Sequence, residues 1–177
     1  GLGKWSAEDI ARYLKTGSYK DKTTALGPME EVVHNSTSKL TDPDLLAMGT
    51  YLKSIPPNSS LSEDRKKVDA NDLVGVKLYI DNCSGCHQSS GRGISGVIPP
   101  LAGNPVVMAA QPNNIIKVMI RGIQTRDGYI AMPSFASRLN DQEIVEITNY
   151  VRSSWGNNAT PNTTKALVEK IRANPGL

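Results

Sequence analysis

Aromatic side chains are scarce in this chain: two Trp, six Tyr and one Phe amount to 5% of its 177 residues. With 38% hydrophobic residues in all, little bulk is left for a large packed core, a composition that suits small domains borrowing core material from a bound group. The length allows one domain or two small ones. Cysteine is scarcer still. A zinc knuckle needs a second ligand pair, and beyond the cluster formed by Cys83, Cys86 and His87 only His34 remains. Long apolar runs are missing, so no segment approaches the eighteen or so residues of a membrane span, and Gly1-Leu2-Gly3-Lys4-Trp5 has no signal-peptide character. Charge of one sign is missing as well. The 20 Lys and Arg face 17 Asp and Glu, and the net +3 is spread thinly, with seven of each sign in residues 1–60 and seven basic against six acidic in residues 71–155. Without a basic block, nucleic acid is not an expected partner.

Against this background one stretch carries chemistry: Cys83-Ser84-Gly85-Cys86-His87. Each thiol can add to one vinyl group of a haem, while the adjoining imidazole reaches the iron from the same turn of chain. A redox-active Cys-x-x-Cys is the competitor, but it asks for a strand-to-helix context and has no use for a histidine in the next position. The reading is covalent attachment of haem c, and the bland alternative is a free surface pair. A six-coordinate electron-transfer haem also needs a second axial ligand, and a methionine thioether is the partner that raises the potential. Of the five methionines, Met108 and Met119 fall in the apolar stretch 106–120 and read as core, Met119 at helical spacing from Ile115 and Ile116. Met132 differs. It lies in Tyr129-Ile130-Ala131-Met132-Pro133-Ser134-Phe135, a loop between helices whose proline fixes the backbone just after the sulfur, and it is the expected distal ligand.

Gly75, Tyr79, Cys83, Cys86, His87, Pro99, Met132 and Tyr150 together resemble the framework of a class I c-type cytochrome over residues 70–155. That resemblance implies an all-α fold in which Gly75 and Tyr79 let the first helix of the domain cross the last one closely, with Tyr150 as the partner ring. It also implies that Pro99, or failing that Pro100, offers its carbonyl to the His87 imidazole, fixing the ring and tuning its basicity. Arg92, in the Gly- and Ser-rich loop 88–98, reads either as a contact for a haem propionate or as an exposed arginine. Phe135 reads equally as a porphyrin neighbour or as core. The implied mechanism is outer-sphere one-electron transfer with His87 proximal and Met132 distal, and no catalysis of bond-making. The rival is a haem enzyme with an open distal position, peroxidase-like.

Residues 1–57 repeat the second half of that domain. Leu40-Thr41-Asp42-Pro43-Asp44-Leu45-Leu46, running to Tyr51-Leu52-Lys53-Ser54, matches Leu139-Asn140-Asp141-Gln142-Glu143-Ile144-Val145, running to Tyr150-Val151-Arg152-Ser153, at a constant offset of 99. Each copy begins with an N-cap and acidic residues. Further back, Ser6 to Gly17 parallels Gln111 to Gly122, and Gly27-Pro28-Met29 parallels Ala131-Met132-Pro133. The segment has no Cys-x-x-Cys-His of its own; a site at matching distance falls about twenty residues ahead of Gly1. Two readings stay open. Either the chain is the C-terminal part of a larger multihaem cytochrome, with Met29 ligating a haem attached elsewhere, or the front helices are haemless by origin and cover apolar faces (Ile10, Tyr13, Leu14, Leu45, Met48, Leu52) by packing on the haem domain. Ser6 with Asp9 reads as a helix cap, Trp5 as its staple, and His34 as solvated.

The remaining segments are a polar linker over 58–70, with Asp69 or Asn71 as the next helix cap, and a tail over 156–177 holding a loop and a short docked helix. Gly27-Pro28-Met29, Leu40-Thr41-Asp42, Pro99-Pro100-Leu101-Ala102-Gly103-Asn104-Pro105, Met132-Pro133-Ser134-Phe135 and Tyr150-Val151-Arg152-Ser153-Ser154-Trp155-Gly156 resemble the last one and a half domains of the triheme cytochrome c subunit of periplasmic alcohol, gluconate or sorbitol dehydrogenases. That resemblance implies a periplasmic protein exported before haem attachment. It implies a dehydrogenase as electron donor and a quinone or terminal oxidase downstream, with membrane association only through partners or a lost segment.

Overall fold

The computed structural model describes residues 2, 5–19, 23–25, 28–56, 73–124 and 129–174. The linker read over 58–70, with its cap at Asp69 or Asn71, lies outside the described residues. The chain divides into two compact units, Gly1–Ser62 and Glu63–Leu177. Among the described residues the architecture is all-α apart from one small ribbon in the first unit and two isolated bridges in the second, and no described helix is long and apolar enough to cross a membrane.

In the first unit, α1 (Ala7–Thr16) starts where Ser6 and Asp9 satisfy each other's backbone, Asp9 N–H donating to Ser6 Oγ at 3.1 Å and Ser6 N–H to Asp9 Oδ2 at 3.0 Å. It stops at Gly17, whose left-handed φ of 77° lets its N–H reach back to Tyr13 O. The ribbon β1 (Ser18–Tyr19) and β2 (Thr23–Thr24) follows, then α2 (Pro28–Asn35), a 3₁₀ turn (Thr37–Lys39) and α3 (Asp42–Ser54), capped by Thr41. Ile10 and Leu14 of α1 and Leu45 of α3 are buried together, and the two helices approach so closely at Gly49 that a Cβ there would collide with Ala7 O. Trp5, read as a staple, lies in the centre of this core. Its indole stacks on Tyr19 at 3.7 Å and meets Tyr13 edge-on at 5.3 Å, because the ribbon folds back over the start of α1.

The second unit is built around α7 (Asp141–Ser153), whose Ile144, Ile147, Thr148 and Val151 are fully enclosed. A reciprocal cap between Asn140 and Glu143 opens it. α7 packs on α4 (Leu73–Asn82) and on α8 (Lys165–Ala173), and α6 (Asn113–Arg121) closes the core with Ile115, Ile116, Met119 and Ile120. The short α5 (Ser84–His87) extends from α4. The tail is part of the same core: Val168 and Ile171 of α8 are buried in it, and Asn149 and Thr163 exchange two hydrogen bonds. Met119 is core as read. Met108 is not in this cluster; it sits half-buried in the turn before α6, where Arg152 draws the backbone carbonyls inward.

The internal offset of 99 carries α3 onto α7 residue for residue, 42 to 141 and 54 to 153. What differs is cover. Leu46, Met48 and Tyr51 are 42%, 37% and 68% exposed, whereas their counterparts Val145 and Ile147 are buried and Tyr150 lies against Tyr79 and Trp155. Lys53 is exposed, but its counterpart Arg152 is completely buried. That guanidinium reaches the carbonyls of Val107 (2.9 Å), Ala109 (2.8 Å) and Thr160 (3.0 Å), with longer bonds to Ala110 O and Asn162 Oδ1. Arg152→Ala leaves the carbonyls of Val107 and Ala109 without the guanidinium donor that reaches them and opens a hole where a completely buried side chain stood, so the second unit should lose about 3 kcal/mol or more. Urea unfolding followed by circular dichroism measures it; a loss under about 0.5 kcal/mol, the ordinary surface value, would mean water replaces the guanidinium freely.

Candidate functional site

The cysteine pair is placed by the end of α4. Cys83 N–H donates to Tyr79 O at 2.8 Å, continuing that helix, and α5 closes as Cys86 and His87 N–H donate to Cys83 O at 3.2 and 2.9 Å. Residues three apart on one turn share a face, so the two side chains leave the backbone on the same side. Tyr79, fully buried, sends its hydroxyl past this turn to Gln88 O at 2.6 Å, while Gly93 N–H donates to His87 O at 3.1 Å. Gln88 is held at φ 61°, ψ 159°, a backbone region that is almost glycine's alone.

His87 is half-buried, with Nδ1 3.2 Å from Pro99 O; the Pro100 carbonyl is engaged by Asn104 Nδ2 instead, at 2.9 Å. Burial lowers the His87 pKa, and the Pro99 bond acts against it. Because a carbonyl only accepts, that bond requires the proton on Nδ1, which leaves the Nε2 lone pair free to coordinate. Cys83 is half-buried and Cys86 exposed, and both are free thiols. Burial raises the Cys83 thiol pKa to about 11, with the Arg138 guanidinium pulling it down. Arg138 belongs to the turn that follows Met132.

Met132 is half-buried, packed on the same core as Cys83. It is not in a free loop: Met132 N–H donates to Ile123 O at 3.0 Å and Ile123 N–H to Met132 O at 2.9 Å, an antiparallel bridge. The approach is close enough that Gly122, at φ 73°, has no room for a Cβ beside Met132 O. Beyond Pro133, Ser134 Oγ donates to Ile120 O and Phe135 N–H to Met119 O, and the Phe135 ring is in the core. On the other side, Ile130 N–H donates to Val97 O at 3.1 Å, tying the methionine segment to the loop after His87. Arg92 is exposed on that loop. In the first unit, Met29 lies in the first turn of α2, packed against the Trp5 core, and His34 is exposed near the end of the same helix.

Two polar residues that hold these segments carried no sequence signal. Asn157, 3% exposed, donates to Leu101 O (3.1 Å) and Val151 O (2.9 Å) and accepts from Gly103 N–H (2.8 Å), pinning the stretch after Pro99 to the end of α7. Arg172 of α8 reaches the Ala136–Leu139 turn. In sequence, Gly156-Asn157 reads as a turn and Arg172 as one more exposed cation of an amphipathic helix; a loop asparagine buried by tertiary contact has no local mark.

A family model described as Cytochrome c matches residues 74–155. Over 97% of its length the chain is 36% identical to the cytochrome c subunit of a quinone alcohol dehydrogenase from Gluconobacter oxydans, covering 39% of that protein. It is 32% identical to the cytochrome c subunit of gluconate 2-dehydrogenase from Pantoea cypripedii, covering 42% of it. The chain thus spans about two fifths of the length of these relatives. Cytochrome c-552 of Thermus thermophilus is 34% identical over 46% of the chain and 68% of its own length.

Gly122→Ala should displace the bridged Met132 strand and cost about 1–3 kcal/mol, through the left-handed φ and the clash with Met132 O. Urea unfolding gives the magnitude, and faster exchange of the Met132 and Ile123 amides localises it. Tyr79→Phe, which removes one hydroxyl bond to Gln88 O, should cost about 1 kcal/mol.

Proposed function

We propose, for a chain that belongs to the cytochrome c family, that it carries haem c through Cys83 and Cys86 and moves single electrons, with His87 and Met132 as the axial ligands. The observation that carries this reading is the donor set: two free thiols and an imidazole held through Nδ1 by Pro99 O on one helical turn, with a thioether packed on the same core. It fits the group in kind, since thiols form the thioether links and an uncharged imidazole nitrogen binds iron. The bound haem supplies a one-electron couple at its iron. The chain's own work is to hold the ligands still. Pro99 O fixes the His87 ring at Nδ1 and the Ile123 bridge fixes Met132, which limits reorganisation as charge changes. Arg92 is a propionate contact in this reading.

Its partners follow by likeness. A dehydrogenase supplies the electrons and a quinone or terminal oxidase receives them, in the periplasm, as the names of the dehydrogenase-subunit relatives suggest for the donor. Residues 1–57 form the second half of another haem domain, joined by the 58–70 linker to the 71–155 domain and its 156–177 tail, with Met29 as ligand to a second haem attached through a separate stretch of polypeptide. The bare side of α3 supports this, because α4 covers the corresponding side of α7.

Intact mass of the purified protein tests the attachment. One haem added to this chain is expected, and Cys83→Ser with Cys86→Ser should abolish it. Met132→Ala should remove the far-red thioether-to-iron absorption of the oxidised protein and lower the midpoint potential on the order of 0.1 V, within the roughly 0.8 V that axial ligands command. A parent protein that lacks the band and binds CO or peroxide readily has an open iron position, and the peroxidase-like reading replaces this one.

A further inference from the structure

The segment that carries Met132 is tethered at its far end by a residue outside the matched cytochrome c region. Arg172 lies on α8, whose Val168 and Ile171 are locked into the core, so the guanidinium projects from a fixed support. It donates through Nη1 to Ala136 O at 2.7 Å, through Nη2 to Leu139 O at 2.9 Å and through Nε to Asp141 Oδ1 at 2.7 Å. Ala136 and Leu139 bound the turn that follows Met132-Pro133-Ser134-Phe135, a turn closed by Arg138 and Leu139 N–H donating to Phe135 O. Asp141 is the first residue of α7. One planar fork therefore joins three structures: the turn below the methionine, the start of α7 and α8.

The pair with Asp141 is partly shielded, the two side chains being 28% and 20% exposed, so it is stronger than an open surface pair. The three acceptors also lie where a guanidinium can serve all of them and a single ammonium cannot.

We propose that Arg172 is a positioning residue for Met132: its clamp on the Ala136–Leu139 turn keeps the thioether seated at the iron. The inference rests on Met132 being the distal ligand. The segment leaves the iron by a local opening that breaks its bridge to Ile123, its hold on α6 through Ser134 and Phe135, and its hold on α8 through Arg172. A competitor for the iron binds the opened form, so its apparent affinity scales with the opened fraction.

The test is titration of the oxidised full-length holoprotein with imidazole, followed by loss of the far-red thioether band. Arg172→Ala should bind imidazole about tenfold more tightly than the parent, through a larger opened fraction. Arg172→Lys, which keeps the charge beside Asp141 but loses the fork, should fall between the two. Met132→Ala is the control for the ligand itself. If that variant keeps the band, the ligand assignment has failed; if it loses the band while Arg172→Ala binds imidazole with parental affinity, the clamp has failed and the ligand stands. A lowered unfolding midpoint in Arg172→Ala with unchanged imidazole affinity likewise overturns the proposal, since it marks a residue that only stabilises the fold. Should Arg172→Ala not fold, Arg172→Lys decides, and parental affinity there is the negative result.

Discussion

The second unit depends on the seating of Tyr79. Its ring, with no exposure at all, is wedged among Tyr150, Trp155 and the aliphatic core where α4 meets α7, and its hydroxyl extends past the helix end to the carbonyl of Gln88. Apolar packing and a polar tether thus come from one side chain. The first fixes where α4 ends, the second fixes the turn that follows, and Cys83, Cys86 and His87 lie between the two. A phenylalanine keeps only the first role, and a smaller polar residue loses the packing. A chain this poor in aromatics concentrates six of its rings in two places: Trp5 with Tyr13 and Tyr19 in the first unit, and Tyr79 with Tyr150 and Trp155 in the second.

Around that anchor, the loops that bear His87 and Met132 have little regular structure, and their order comes from single bonds to regular elements. The proximal loop is held by Pro99 on His87, by Leu101 and Ala102 N–H on Gly91 O, and by Asn157. The methionine segment is held by Ile123, Ser134 and Arg172. The Ile130 to Val97 bond joins the two. Two of these braces, Asn157 and Arg172, come from beyond residue 155, where the family match ends.

What could be read in the sequence was whatever is encoded locally. Ser6 with Asp9 and Asn140 with Glu143 announce helix starts because cap and partner lie three residues apart, and the Cys-x-x-Cys-His stretch announces its chemistry because all its groups share one turn. The repeat was visible because a constant offset survives wherever no loop intervenes. Arg152 and Arg172 were not visible. Both sit in the last turn of a helix, where a cation is ordinarily solvated and favourable to the helix dipole. Their partners come from 8 to 45 residues away for Arg152 and 31 to 36 for Arg172, so burial is decided by the fold and not by neighbours in sequence. Trp5 was read as a local staple and shares a core with Ile10, but its stacking on Tyr19 comes through a ribbon two residues wide, too short to give a periodic signal. Met132 was read as loop for the same reason: a single bridge leaves no alternation to detect.

Gln88 stands directly after His87 with a backbone geometry that a side chain strongly disfavours, and three neighbours hold it there: the Tyr79 hydroxyl and the Gly91 amide on its carbonyl, and the Gly93 amide on the carbonyl of His87. Such a residue behaves like a compressed spring, with a strain of order 1–3 kcal/mol balanced by the folded core rather than by any bound group. The direction in which the imidazole faces is therefore imposed by the polypeptide itself, and any group bound at its free Nε2 would meet a ring with little freedom to turn.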